Sequence, residues 1–464
     1  MFRNKAFTFK KYTVTFSLYF TIKLFHPRRI NLTFIYRERF QTKTHTMERR
    51  KFIKTSAISS AALASTSLFS FASGEAPSPL PTIKDPRNLY GSLEVVMEGI
   101  RAHNPQDLSL PNWRKKNPQG RFEAWRSAAR NCLKQGLNYN PGPLNLAPEV
   151  VDKQERDGYT LELVRFNTAP WHRLEAYFLL PTGVDHPVPG IVALHAWGGP
   201  MCFGKDRIVN GGRDHPILVK HRQEYYDGAY LAEEYVKRGY AVIVIDAHHF
   251  GNRVPKGIND IPAEFDPFSL SVEEFREVDD KVRSLLYYGV RQLNWAGTTW
   301  AGLNYFDDSR CIDYLISRPE VDSERIGVTG LSGGGWRTNI LAALDSRIKA
   351  SVSVGWMTTG NMQQHYNVAG AIGTFCLLPG VWNRLDIPDL AAMSAPNACM
   401  VVVGTEDVLF PTEGKMLAKD HIQAAFDWAD IPDKHFFYSP KAVHCYNRDI
   451  QEKALDWFDK HLKT

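Results

Sequence analysis

The 464-residue chain is 44% hydrophobic and 23% charged, a balance that supplies ample material for a core and excludes a disordered protein. Its formal charge of +6 is uneven: residues 1–46 hold ten Lys or Arg against one acid, residues 47–76 hold four against two, and the remainder carries −5. A nucleic-acid-binding surface is therefore not expected, because the basic excess lies outside the region that reads as a folded domain.

Residues 1–46 are rich in Phe, Thr, Lys, Ile, Tyr and Arg, and read as translated upstream DNA or a disordered extension, with Met47 as the expected start. Residues 47–76 have the layout of a twin-arginine signal peptide: Arg49-Arg50-Lys51-Phe52-Ile53-Lys54, a weakly apolar middle, and small residues near Ala72–Ala76 for cleavage. That layout predicts the twin-arginine export machinery as a partner and a periplasmic or secreted mature protein. The apolar run Tyr12–Ile22 is far shorter than the ~20 residues needed to span a bilayer, so no membrane span is expected in the mature chain. The six cysteines are widely spaced, without a C-x-x-C pair or zinc-ligand spacing, and predict neither a metal site nor a cofactor.

Residues 77–150 begin as a Pro-rich linker and turn helical from about Leu89 to Leu137, which predicts a helical arm packed on the main domain. Across 151–464, short apolar strands are expected at Thr160–Phe166, Leu174–Leu180, Gly190–His195, Tyr240–Asp246, Arg325–Thr329, Ala350–Val354, Cys399–Val403 and His435–Tyr438. Helices are expected between them, at Tyr225–Arg238, Val272–Trp295, Tyr305–Ser317 and after Ser332. This alternation predicts an α/β domain with a mostly parallel central sheet and helices on both faces. The long stretch Gly355–Asn397 interrupts the rhythm and reads as a lid-like insertion.

The strand Arg325–Thr329 runs into Gly330-Leu331-Ser332-Gly333-Gly334-Gly335 and then a helix, which is the strand–turn–helix context of a G-x-S-x-G nucleophile elbow. A serine hydroxyl needs a base, and the base needs a carboxylate to orient it. In chain order these are Asp407, just past the strand Cys399–Val403, with Glu406 as the neighbouring alternative, and His444 in the loop before the last helix. An oxyanion hole is expected from the backbone N–H of Gly333 and of Trp197, or else Ala196, in His195-Ala196-Trp197-Gly198-Gly199-Pro200. His195 reads as a loop brace, and His435, inside a strand, as structural. Lys205, Arg207 and Arg213 read as a solvated charge cluster, with recognition of a carboxylated or sulfated sugar as the alternative.

Together these residues resemble the dienelactone hydrolase, acetyl xylan esterase and prolyl oligopeptidase branch of the α/β-hydrolase superfamily, over roughly Gln154–Thr464. The resemblance includes Asp246-Ala247-His248-His249-Phe250-Gly251-Asn252-Arg253, where His248 and His249 depart from the branch's pattern and are either pocket-lining or structural. It implies an exported serine carboxylesterase working through an acyl-enzyme on small-molecule or oligosaccharide esters, as acetyl xylan esterases do. A serine peptidase is disfavoured, since too little chain precedes the domain for a β-propeller. A non-catalytic binding protein is disfavoured by the complete Ser332, Asp407 and His444 set. Trp197 and Trp382 are expected toward the pocket, Trp336 in the core, and Trp356 in either place.

Overall fold

The computed structural model describes residues 5–9, 12–16, 22–24, 30–38, 41–47, 93–363 and 373–463, in two units, Met1–Glu75 and Ala76–Thr464. In the first unit, β1 (Lys5–Phe9) pairs antiparallel with β2 (Tyr12–Phe16). β3 (Ile22–Leu24), β4 (Ile30–Glu38) and β5 (Gln41–Met47) form an antiparallel sheet in that order. Apart from Met47, the expected signal peptide lies outside the described residues.

The second unit is built on nine strands: β6 (Glu149–Arg156), β7 (Tyr159–Ala169), β8 (His172–Pro181), β9 (Val188–Leu194), β10 (Ala241–Ile245), β11 (Val321–Leu331), β12 (Ile348–Val354), β13 (Ala398–Val402) and β14 (His435–Tyr438). Their order is β14-β13-β12-β11-β9-β10-β8-β7-β6; β9 to β14 are parallel to their neighbours in that group, and β8, β7 and β6 extend the sheet antiparallel. β9, β10 and β13 are buried at every residue. That is why they read as unbroken apolar runs: helices cover both faces, and no side has to be polar. β6 was not foreseen. Its sequence EVVDKQER is exposed at all but the last residue, and its Lys and Glu side chains suit an unpaired edge.

Because β9 lies between β10 and β11, the chain leaves it toward opposite edges on successive crossovers. The crevice beyond the carboxyl ends of β9 and β11 is therefore a topological switch point, the place where open α/β sheets hold their ligands. The loop after β9 and the turn after β11 both open there.

The single helix expected at Tyr225–Arg238 is two, Pro216–Tyr226 and Leu231–Lys237, broken where Asp227 takes φ 50° ahead of Gly228. The helix Val272–Trp295 matches its expected range and starts with a Ser271/Glu274 capping box. The arm is three helices, Leu93–His103, Leu110–Lys116 and Phe122–Leu137. Its Trp125 is fully buried and donates Nε1–H to Leu108 O at 2.8 Å.

The arm grips the insertion. Gln106 N–H donates to Asn383 O (3.0 Å), Leu108 N–H to Arg384 O (2.9 Å) and Leu110 N–H to the Asp389 carboxylate (3.0 Å). Leu378, Val381, Leu385 and Leu390 of the insertion join one core cluster with Trp125 and Leu133 of the arm. The described part of the insertion is thus packed firmly on the arm. All six cysteines are unpaired and buried. Among the described residues no helix is long and apolar enough to cross a membrane, and no group of His, Cys, Asp or Glu could hold a metal ion.

Candidate active site

β11 ends at Leu331, the helix Gly333–Leu344 follows, and Ser332 sits between them at φ 58°, ψ −120°. A residue other than glycine in that region stores roughly 1–3 kcal/mol of strain, so the surroundings must hold it there. They do so through Ser332 N–H donating to Val354 O (2.8 Å) and Trp336 N–H donating to Ser332 O (2.9 Å). Gly333 is required by close approach: a Cβ built there would lie 2.5 Å from Trp197 Cβ and 3.2 Å from Trp197 N. The same crowding sets the main chains of Gly333 and Trp197, the two expected oxyanion donors, side by side.

Asp407 is buried just beyond β13, and His444 Nδ1 lies 2.7 Å from its Oδ2, while Leu409 N–H donates to its Oδ1 at 3.0 Å. A carboxylate only accepts, so Nδ1 carries a proton and Nε2 is the ring nitrogen not taken by Asp407. Glu406, the neighbouring alternative, is half exposed and faces Lys441 at 3.8 Å. At Gly355, which has φ +65°, a built Cβ would lie 3.0 Å from His444 Cε1 and 3.2 Å from Leu331 Cδ1. The imidazole therefore stands beside the residue that precedes Ser332.

Lys415, which the sequence reading passed over, is buried and donates from Nζ to Gly404 O and Asp407 O, each at 2.9 Å, closing the turn that carries Asp407. A lysine on an amphipathic helix ordinarily marks the wet face, and nothing in the sequence distinguishes this one.

His195 is buried, and burial together with the Arg207 charge holds it well below the ordinary imidazole pKa. Its Nδ1–H donates to Ala196 O (2.8 Å) and its Nε2 accepts from Ala247 N–H (3.0 Å), so it braces the loop. The two departures from the resembled pattern are held by the scaffold. His249 Nε2 donates to Val282 O at 2.8 Å. His248 Nε2 lies 3.1 Å from Asp307, which also binds Arg253 at 2.7 Å; burial and the Arg253 charge push His248 down to about 4.

The expectation of a solvated cationic cluster is overturned at two of three positions. Lys205 is buried with its Nζ 2.7 Å from the buried Asp246, and Arg207 is fully buried; only Arg213 is exposed, paired with Asp266. Composition cannot separate a charge in water from one paired in the core. Trp197 is half-buried, its ring centroid 4.7 Å from both Trp300 and Phe375 and 5.1 Å from Phe250. Trp336 and Trp356 are buried against each other at 4.7 Å, Trp382 lies 5.4 Å from Trp336, and Phe410 links Trp356 to His444. Trp336 is core as expected, and Trp356 resolves to core as well. Trp382 is half-buried and tied by its Nε1–H to Cys376 O at 2.9 Å. Trp300 and Phe375 escaped notice because each lies far in sequence from the motifs it packs against.

A model of the Abhydrolase family matches residues 91–451. The chain is similar to YtaP of Bacillus subtilis (strain 168), provisionally named a hydrolase, at 24% identity over 344 residues, which is 73% of this chain and all of that one. It is similar in fold to a Bacteroides fragilis NCTC 9343 protein provisionally named an acetyl xylan esterase, with TM-score 0.56 and 17% identity over 76% of this chain and 86% of that one. A glucuronoyl esterase from Solibacter usitatus gives TM-score 0.52 and 15% identity, over 76% of this chain and 93% of that one. With a family match spanning most of its length and a sheet of that order, the chain belongs to the α/β-hydrolase family.

Proposed function

We propose that the protein is an exported serine carboxylesterase that deacylates carbohydrate esters through an acyl-enzyme. The observation that carries this reading is the 2.7 Å bond from His444 to the buried Asp407, at the sheet end where Ser332 is held in its strained turn. Ser332 Oγ attacks the ester carbonyl as His444 Nε2 takes its proton. The Asp407 carboxylate fixes the imidazole by its Nδ1–H and stabilises the imidazolium. The N–H groups of Trp197 and Gly333 receive the oxyanion. Collapse expels the alcohol, which leaves with the proton from His444, and water then repeats the sequence to release the acid.

The carbohydrate half of the reading is supported by the names of the structural neighbours and by the half-buried Trp197 in the loop after β9, an indole of the kind that stacks on the apolar faces of sugar rings. Export is supported by the twin-arginine layout of residues 47–76. A panel of acetylated sugars, glucuronoyl esters and short-chain aryl esters, assayed with wild type and Ser332→Ala, tests the chemistry. Hydrolysis confined to the wild type is expected; equal rates in the two proteins, or no ester cleaved by either, would refute it. Recovery of the cleaved protein outside the cytoplasm, lost on Arg49→Lys with Arg50→Lys, tests the export.

A further inference from the structure

The loop after β9 is held in an unusual way. Four of its carbonyls, those of Ala196, Gly198, Gly199 and Pro200, are taken by arginine side chains. Arg207 Nη1 donates to Ala196 O and Gly198 O, each at 2.7 Å, and its Nη2 donates to Pro200 O. Arg283 Nη2 donates to Gly199 O at 2.7 Å. Arg207 is fully buried, and its guanidinium lies over the Phe250 ring, 5.1 Å from its centroid. Among the described residues no carboxylate is within ion-pairing distance of it, so its charge is spent on neutral carbonyls. Burying a cation whose direct hydrogen-bond partners are all neutral is costly, and a loop that merely needed to close has cheaper means.

Peptide geometry shows what the arrangement achieves. In a trans peptide the C=O and the following N–H point in opposite directions. The Ala196 carbonyl is drawn to Arg207 and also accepts from His195 Nδ1 at 2.8 Å, so the N–H of Trp197 must point away from Arg207. The nitrogen of that group lies 3.2 Å from a Cβ built on Gly333, on the side of the nucleophile turn. A cation on the carbonyl also polarises the amide and strengthens its N–H as a donor, an effect that grows in a water-free interior.

We infer that Arg207, with Arg283 holding the far end of the loop, is the positioning residue of the oxyanion hole: it aims and polarises the Trp197 N–H that meets the developing negative charge. This rests on the proposed role of Ser332 and on the placement of the hole. Arg207 touches no substrate. Of the three peptide groups it holds, the one shared by Ala196 and Trp197 carries the oxyanion donor, so its effect falls on the transition state and leaves ground-state binding alone.

The test uses the full chain with 4-nitrophenyl acetate as substrate and an arylboronic acid as the tetrahedral analogue. For Arg207→Lys and Arg207→Met, kcat is expected to fall roughly 10- to 100-fold, below the loss for deleting an oxyanion donor outright, with KM within about twofold. Boronate affinity should fall in proportion to kcat, and Lys, which keeps the charge, should lose less than Met. Arg283→Met, at a partly exposed site where Arg283 also pairs with Asp279 at 3.1 Å, is expected to lose roughly 3- to 10-fold in kcat and decides the matter if the Arg207 variants do not fold. Activity surviving in Ser332→Ala would overturn the underlying site reading. With Ser332→Ala inert, folded arginine variants that keep wild-type kcat, or that lose kcat without losing boronate affinity, would overturn the inference about Arg207.

Discussion

Gly355→Ala separates the role of His444 from that of the fold. Gly355 follows β12 at φ +65°, a conformation that costs an L-residue about 1–2 kcal/mol, and its N–H donates to Val402 O at 2.8 Å, which keeps the backbone from relaxing. The added methyl would lie 3.0 Å from His444 Cε1, 3.2 Å from its Nδ1 and 3.2 Å from Leu331 Cδ1, inside the ~3.5–4.0 Å of an ordinary carbon contact. Leu331 and the imidazole must both yield by a few tenths of an ångström. The imidazole is tied to Asp407 at 2.7 Å, so it tilts instead of sliding away. Urea unfolding should show a stability loss of about 1–2 kcal/mol, seen as a lower midpoint at unchanged slope. Turnover should fall by more than that loss explains: since a 1 Å misplacement costs on the order of 100-fold, a tilt of part of that distance should cost roughly 10-fold in kcat, with KM little changed. A folded Gly355→Ala protein with the expected stability loss and wild-type kcat would show that His444 is not a working group.

Asp407→Asn should lower kcat by about 10⁴-fold, because an amide holds the imidazole in the wrong tautomer, whereas Glu406→Gln should stay within about twofold; steady-state kinetics on an aryl ester distinguish the two carboxylates. At the junction of arm, insertion and the helix Thr412–Trp428, His421 Nε2 lies 2.6 Å from the buried Asp389. Burial opposes its charge, but the attraction and hydrogen bond of Asp389, with Asp386 nearby, raise its pKa above the ordinary 6.5. Its stabilising contribution is therefore complete below pH 6.5 and lost as pH rises through the raised value. Urea unfolding from about pH 6 to about pH 9 should show wild type losing stability over a window that His421→Gln does not show; parallel curves would refute the assignment. Trp125→Ala, which empties a fully buried site and removes the bond to Leu108 O, should cost about 3–5 kcal/mol in the same assay.

What could be read from the sequence was what local sterics write into it. The turn at Ser332 needs glycine where two segments nearly touch, and β9, β10 and β13 need unbroken apolar runs because both of their faces are covered. Asp407 and His444 could be named as candidates because chain order restricts where a carboxylate and a base can follow such a turn. β6 was missed because an exposed edge strand of charged residues has no apolar alternation, and the break at Asp227 because one left-handed residue leaves the helical pattern on either side intact.

The groups that hold the site in place were missed for a different reason. Lys415, Arg207 and Lys205 are charges that a composition argument assigns to water, yet each is buried with partners the sequence cannot show: two turn carbonyls, three loop carbonyls and Asp246. The arm and the insertion meet through hydrogen bonds between residues nearly 280 positions apart, such as Leu110 to Asp389. Phe375, within the insertion so held, lies against Trp197, and Trp197 lies against Gly333. The helical arm thus reaches the candidate oxyanion loop through two layers of packing. Truncating the arm should therefore impair turnover as well as stability, although none of its residues was singled out for chemistry.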